Sequence, residues 1–298
     1  MAEPQQEFVR MVEELVRTRV NDAAVPLTGE KMAEALAPGK MLRTRLAARL
    51  VSSGASPAVR EKGKLVCAAT EIAHTATLCH DDIIDNAFLR RRQPALWRNV
   101  GANAAVLVGD LLLCVAFELI AQTGDAEYMT QFGRKLCEVC IAEAKEELDL
   151  IGEPRDEATC LRLARGTTGP LFAMVAWGAA AHRPRLAAAL EEAGYLIGTA
   201  YQLADDLLDV VGDPARAGKT LRTDALRHKI TLPVVADDGR RETRARIHSL
   251  CRQALDTAKA WPSAQSAIRT FFSQDLQPVL DRHIRDLDLL SMPAGEHP

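Results

Sequence analysis

Glu71-Ile72-Ala73-His74-Thr75-Ala76-Thr77-Leu78-Cys79-His80-Asp81-Asp82-Ile83-Ile84-Asp85 is the stretch on which the reading of this chain turns. Apolar residues leading into it recur at three- and four-residue spacing, the period of a buried helix. At its end Asp81 and Asp85 stand one turn apart, so both carboxylates leave the same face about 6 Å from each other. Like charges so placed repel unless a cation sits between them. The donors are hard oxygens, too few for a closed calcium cage. They suit Mg²⁺, which keeps waters and shares its shell with a phosphate-bearing ligand.

The same spacing returns in Gln202-Leu203-Ala204-Asp205-Asp206-Leu207-Leu208-Asp209, again at the end of a long apolar run. One acidic helix end is an ordinary solvent-facing feature. Two, each embedded in apolar sequence, point to helices facing each other across a cavity, with Mg²⁺ held around a diphosphate. Cations follow both clusters: Arg90, Arg91 and Arg92 after the first, Lys219 and Lys229 after the second. Gly39-Lys40-Met41-Leu42-Arg43 opens an early helix. Guanidinium groups grip phosphate oxygens in pairs, and Lys supplies a point charge. Lys40, Arg43, Arg90, Arg91 and Lys219 are read as phosphate ligands, Arg92 and Arg98 as surface charges.

Outward from these motifs the helical period continues almost throughout. Helices are expected near 5–20, 28–36, 41–53, 57–86, 102–121, 126–150, 156–165, 168–182, 185–211, 225–236, 241–257 and 264–290. Pro38-Gly39, Gly212-Asp213-Pro214 and Ala217-Gly218 mark loops. No strand alternation stands out, and no repeat of 20–50 residues is present. The expectation is one all-α domain over residues 1–291 and a frayed tail over 292–298.

Composition narrows the function classes. At 298 residues and 48% hydrophobic the chain can bury a sizeable core, and its 4% aromatic content leans the apolar part towards Ala, Leu and Val, hence helix. A net charge of −3 asks for no nucleic acid and no anionic surface. The seven cysteines are an odd number scattered through apolar segments, which reads as reduced, buried thiols rather than a disulfide framework. Cys137-x-x-Cys140 has no second pair or histidine cluster at ligand spacing, so it reads as two thiols one turn apart. The N-terminus is acidic and amphipathic, unlike a signal peptide. The greasiest stretch, Ala102 to Gln122, is interrupted by Asp110 and Glu118, so no transmembrane segment is expected and a cytoplasmic location is.

In combination, Gly39-Lys40-x-x-Arg43, His74, Asp81-Asp82-x-x-Asp85, Arg90-Arg91, Gly109-Asp110, Gln202-x-x-Asp205-Asp206-x-x-Asp209, Gly218-Lys219 and Lys229-x-Thr231-Leu232-Pro233 resemble the trans-isoprenyl diphosphate synthase (polyprenyl synthetase) family. They occur in family order over residues 39 to 233. The resemblance implies an all-α isoprenoid-synthase bundle around a central cavity, usually a homodimer, that joins isopentenyl diphosphate to an allylic diphosphate. It implies Asp81, Asp85 and Asp205 as the main Mg²⁺ ligands, with Asp82, Asp206 and Asp209 nearby. Arg90, Thr168, Gln202, Lys219 and Lys229 match allylic-diphosphate positions. Lys40, Arg43, His74 and Arg91 match the isopentenyl diphosphate pocket. Catalysis would rest on Asp81, Asp85, Asp205, Arg90 and Lys219.

Chain length should follow cavity depth. Ala76 and Thr77, just before the first motif, are small where short-product members often carry an aromatic. A product of C20 or longer is therefore expected, with C30–C50 favoured and with Leu113 and Phe117 as candidate floor residues or plain core. His80 is read as hydrogen-bonding support for the motif. The chain departs from the family pattern at Thr167 (usually Lys), Arg92 (usually Gly), Asp149 (usually Gln) and Thr44 (commonly Pro). A class I terpene cyclase is the runner-up, but typically lacks the second complete aspartate motif and the Lys40, Arg43 and His74 set. A non-catalytic subunit of a heteromeric synthase tends to lose carboxylates that are all present here.

Overall fold

The computed structural model describes residues 1, 3–29, 36–51, 55–90, 93–211, 230–235, 238–281, 284 and 287–290. Among them the helices are α1 (Glu3–Thr28), α2 (Leu42–Leu50), α3 (Pro57–Ile84), α4 (Leu96–Val100), α5 (Ala102–Ala121), α6 (Ala126–Lys145), α7 (Glu157–Thr167), α8 (Gly169–Gly178), α9 (Pro184–Val211), α10 (Leu232–Val235), α11 (Gly239–Thr257), α12 (Pro262–Phe271) and α13 (Gln277–Leu280). The all-α expectation holds, with three differences of detail. A small antiparallel hairpin, β1 (Leu89–Arg90) with β2 (Gln93–Pro94), follows the first aspartate motif. The expected 126–150 and 264–290 helices are interrupted by π-turns at Glu146–Leu150 and Phe272–Leu276. The first helix runs on to Thr28. Most of the 28–36 helix, the start of the 225–236 helix and the 292–298 tail lie outside the described residues.

Capping sets the start of the motif-bearing helix. Ser56 accepts from the Val59 N–H at 3.4 Å and Pro57 occupies the first turn, where its missing N–H costs nothing. From there α3 buries Leu65, Val66, Ala69, Ile72, Ala73 and Ala76 in the main core cluster. It packs along α5 on one side and against α1, α2 and α8 on others. The second motif helix, α9, packs along α8 and α11. So α8, whose ten residues are all buried, is the common support of both motif helices.

The α8–α9 seam is unusually close. A Cβ at Gly194 would lie 2.5 Å from the Ala173 Cα, and one at Gly198 would lie 2.7 Å from the Gly169 Cα. Only hydrogen fits there, which lets the two backbones touch.

Two sequence expectations need correction. By length and apolar content α5 is long enough to cross a membrane, where no such run was expected, because Asp110 and Glu118 are too few to lower its average. It nevertheless packs along α3, with Val108, Leu112, Ala116, Leu119 and Ile120 in the core. Its other side is open: Leu107 is 67% exposed and Val106 and Phe117 are exposed too. The cysteines also divide. Cys67, Cys79, Cys160 and Cys251 are buried as expected, whereas Cys114, Cys137 and Cys140 are exposed because they fall on the open faces of α5 and α6.

Candidate active site

Burial splits the six aspartates. Asp82, Asp206 and Asp209 are buried, while Asp81, Asp85 and Asp205 are half-exposed at the ends of α3 and α9. The buried ones are committed to neighbours. Asp82 Oδ1 accepts from Arg90 Nε at 2.9 Å and Nη2 at 2.5 Å. Gln202 Nε2 donates to Asp206 Oδ1 at 2.7 Å, and the Thr168 hydroxyl donates to Gln202 Oε1 at 2.6 Å. Thr168, Gln202 and Asp206 thus form one chain across the α8–α9 seam.

Arg90 links the two motifs. Burial pulls its guanidinium pKa down, but the Asp82 hydrogen bonds and the fields of Asp82, Asp81 and Asp205 outweigh that and hold it above its ordinary value. Its charge thus responds to carboxylates of both motifs, and its hydrogen bonds to the motifs go to Asp82. The hairpin holds Arg90 there: β1 carries it back towards α3 and pairs it with Gln93.

The second cation cluster lies deeper along α3. His74 is seven residues before Asp81, two turns down the same face, or about 10 Å. Arg43 Nη2 donates to His74 Nδ1 at 3.4 Å and its guanidinium lies 5.0 Å from the Phe172 ring centre. Burial lowers the Arg43 pKa, and the nearby Glu71 and Tyr201 raise it in part. Arg43 Nε is buried with no hydrogen-bond acceptor among the described residues. A buried guanidinium with an unused N–H is a group waiting for an anion. Lys40 is exposed, two residues before α2 and beside Met41, which holds a left-handed φ of 53°. Arg91, Lys219 and Lys229, together with Arg92, lie outside the described residues.

The structure gives other expected residues separate places. His80 Nε2 reaches the Val106 carbonyl at 3.2 Å and Asp110 Oδ1 at 3.3 Å, tying the end of α3 to α5. The ring fills the space above Gly109, where a Cβ would meet it at 2.3 Å. Ala76 is fully buried, while Thr77 is half-buried with its hydroxyl on the His74 carbonyl at 3.0 Å. Leu113 packs partly against the core. Phe117 is 38% exposed and edge-on to Phe132 at 5.3 Å. Cys140 has its thiol pushed up by burial first, then by Cys137, Glu143 and Asp81. It is a poor thiolate.

The donor chemistry fits Mg²⁺. Asp81, Asp85 and Asp205 offer hard carboxylate oxygens with access. Among the described residues no three histidine, cysteine or carboxylate groups converge on a single point.

Residues 26–267 match the family model described as Polyprenyl synthetase. The chain belongs to that family. It is therefore a prenyltransferase. The short chain isoprenyl diphosphate synthase of Methanothermobacter thermautotrophicus is 34% identical over 241 residues, covering 77% of this chain and 74% of that protein. The all-trans-nonaprenyl-diphosphate synthase (geranyl-diphosphate specific) of Rhodobacter capsulatus is 33% identical over 200 residues, covering 64% of this chain and 59% of that one. Among solved structures, a decaprenyl diphosphate synthase from Rhodobacter capsulatus superposes with a TM-score of 0.76 at 27% identity, over 94% of this chain and 98% of that one.

Where this polyprenyl synthetase departs from the family pattern, the local structure explains one change. Thr44 is not a lost proline but a gained pair of donors. Its N–H and hydroxyl both reach Glu71 Oε1, at 3.2 and 3.0 Å. Met41 gives α2 no side-chain cap, so the Glu71 carboxylate of α3 serves the bare N-terminus of α2 instead. Sequence reasoning missed Glu71, and a carboxylate inside the apolar run Val66–Ala76 was the signal. Thr44→Pro is sterically tolerable in a first helical turn. It nevertheless strips both donors from a buried carboxylate, so urea unfolding should show a loss of about 2–3 kcal/mol, against about 1 for Thr44→Val. Nothing in the structure explains Thr167 or Asp149.

Proposed function

We propose that this prenyltransferase condenses isopentenyl diphosphate with an allylic diphosphate, in the presence of Mg²⁺, to a trans-polyprenyl diphosphate of C20 or longer. The observation that carries the reading is the Arg90 guanidinium on Asp82 Oδ1 at 2.9 and 2.5 Å, with the charges of Asp81 and Asp205 also raising its pKa. On this reading both acidic helix ends address one diphosphate. Asp81, Asp85 and Asp205 would hold Mg²⁺, which supplies positive charge to a departing diphosphate. Arg90, Thr168 and Gln202 bind the allylic diphosphate, together with Lys219 and Lys229. Lys40, Arg43, His74 and Arg91 bind the other substrate, whose diphosphate would satisfy the orphaned Arg43 Nε.

The allylic C–O bond breaks with its electron pair leaving on diphosphate. The alkene of isopentenyl diphosphate supplies the pair for the new C–C bond, and the proton lost from the adjacent carbon passes to the released diphosphate. No protein nucleophile is needed. The side chains' work is to bind, to orient and to stabilise charge that grows as the C–O bond opens. Water must be kept out, or the allylic cation ends as an alcohol.

The open apolar side of α5, with Leu107, Val106 and Phe117 exposed, supports a homodimer built on that face. The packing of α5 along α3, with Val108, Leu112, Ala116, Leu119 and Ile120 in the core, supports a protein that works in the cytoplasm and not in a bilayer.

The small pair below the motif supports the longer product. Thr77 lies one turn before Asp81 on the same face and keeps some access, while Ala76 is sealed. Thr77→Phe should therefore shorten the products, and Ala76→Phe should do so at a stability cost of about 1–3 kcal/mol from overpacking. Chromatography of the dephosphorylated alcohols reads the distribution. An unchanged distribution in both variants would place the cavity floor elsewhere.

The reading as a whole is tested by incubating purified protein with Mg²⁺, radiolabelled isopentenyl diphosphate and a series of allylic primers. Extended, acid-labile products are expected, and chelation by EDTA should abolish them. Absence of incorporation with every primer would overturn the reading.

A further inference from the structure

Asp275 stands in the π-turn Phe272–Leu276 with its side chain only 2% exposed, and α2 takes both of its oxygens. Oδ2 accepts from Arg49 Nε at 2.8 Å, and Oδ1 is 3.5 Å from Arg45 Nη1. Arg49 spends its other N–H groups on Gln5 at 3.2 Å and Gln274 at 3.0 Å, all within the packed end of the bundle. Arg45 does something else. Its side chain is 37% exposed, and its Nε donates to the backbone carbonyl of Lys40 at 3.1 Å.

That bond falls at a sensitive place. Met41 takes a left-handed conformation, which is unfavourable for a non-glycine residue. The Met41 side chain does not cap α2, and the Glu71 carboxylate reaches it only at Thr44. Two contacts from Arg45 hold the chain where it enters the helix: its N–H on the Met41 carbonyl at 2.8 Å and its Nε on the Lys40 carbonyl at 3.1 Å. A side chain and a main-chain N–H of one residue thus grip the two peptide units that follow Lys40, the first of which is bonded to its Cα.

We propose that Arg45, braced by Asp275, is a positioning residue that aims Lys40 into the isopentenyl diphosphate pocket. The proposal rests on the reading of Lys40 as a ligand of that substrate. It couples the C-terminal π-turn to one substrate's affinity and leaves the allylic side, built on α3, α8 and α9, outside the coupling. Arg45 acts through Lys40, so its loss should matter only while Lys40 is present.

The experiment is steady-state kinetics with both substrates on the full chain and on Arg45→Ala, Arg45→Lys, Lys40→Ala and the Lys40→Ala/Arg45→Ala pair. Expected in Arg45→Ala is a rise of about tenfold in the ratio of the KM for isopentenyl diphosphate to that for the allylic diphosphate. Arg45→Lys keeps the charge but has no Nε–H at that reach, and should show the same rise. The double variant should be no worse than Lys40→Ala alone. An unchanged ratio in Arg45→Ala, full rescue by Arg45→Lys, or losses that multiply in the double variant would each overturn the proposal. Wild-type turnover separates the two levels: with no turnover the prenyl-transfer reading itself falls, whereas turnover with an unchanged ratio removes only the role of Arg45.

Discussion

Asp205→Asn is expected to lower turnover about 10²–10³-fold while leaving the fold intact, and Asp81→Asn to do the same. Both side chains are half-exposed at helix ends, so an isosteric amide removes a charge without opening a hole. They would hold Mg²⁺, whose positive charge counts most as negative charge accumulates on the departing diphosphate, so the loss should appear in kcat more than in either KM. The two variants are also expected to be non-additive. If the aspartates hold one metal–diphosphate assembly, removing the second finds it already broken, and the double variant should be little worse than either single one. The buried members behave differently. Asp82→Asn weakens the charged pair with Arg90 and should lower thermal stability as well as turnover, because a buried guanidinium then lacks its counter-charge. Kinetics beside thermal melts on the three variants separate the roles. Equal melting losses in all three would contradict the division by burial.

A second large effect is expected where no charge is involved. Gly198→Ala and Gly194→Ala place a methyl where the α8 backbone already is, within 2.7 and 2.5 Å of its Cα atoms. Helix propensity alone would favour alanine by about 1 kcal/mol. Separating two packed helices costs more than that, so the net change should be a destabilisation of about 2–4 kcal/mol. Because the Thr168–Gln202–Asp206 chain spans the same seam, turnover should fall with stability. Gly133 on α6 is the control. A Cβ there meets nothing within 4 Å, so Gly133→Ala should leave the melting temperature unchanged or raise it. A rise in all three variants would mean that the seam has slack.

The parts legible in the sequence were those written in a long period. Apolar spacing over α3 and α9 placed both motif helices within a few residues, because burial of one continuous face forces that repeat. The paired motifs led to the expectation of two helices facing each other, but the Arg90–Asp82 pair was not legible. It depends on β1 and β2, two strands of two residues each, too short to show alternation. The π-turns at Glu146 and Phe272 are one-residue slips that leave the composition unchanged. Thr44 looked like a defect because only the missing proline was visible, while its partner Glu71 sits 27 residues away. Gly194 and Gly198 drew no reading from the sequence, because their meaning needs α8, whose approach nothing on α9 itself announces.

The most direct test is diffraction from crystals grown with Mn²⁺ and inorganic diphosphate, located by the metal's anomalous signal. The account requires ions bound by Asp81 or Asp85 and by Asp205 that share oxygens of one diphosphate beside Arg90. Ions held at one motif alone, or a diphosphate lodged away from both, would contradict it.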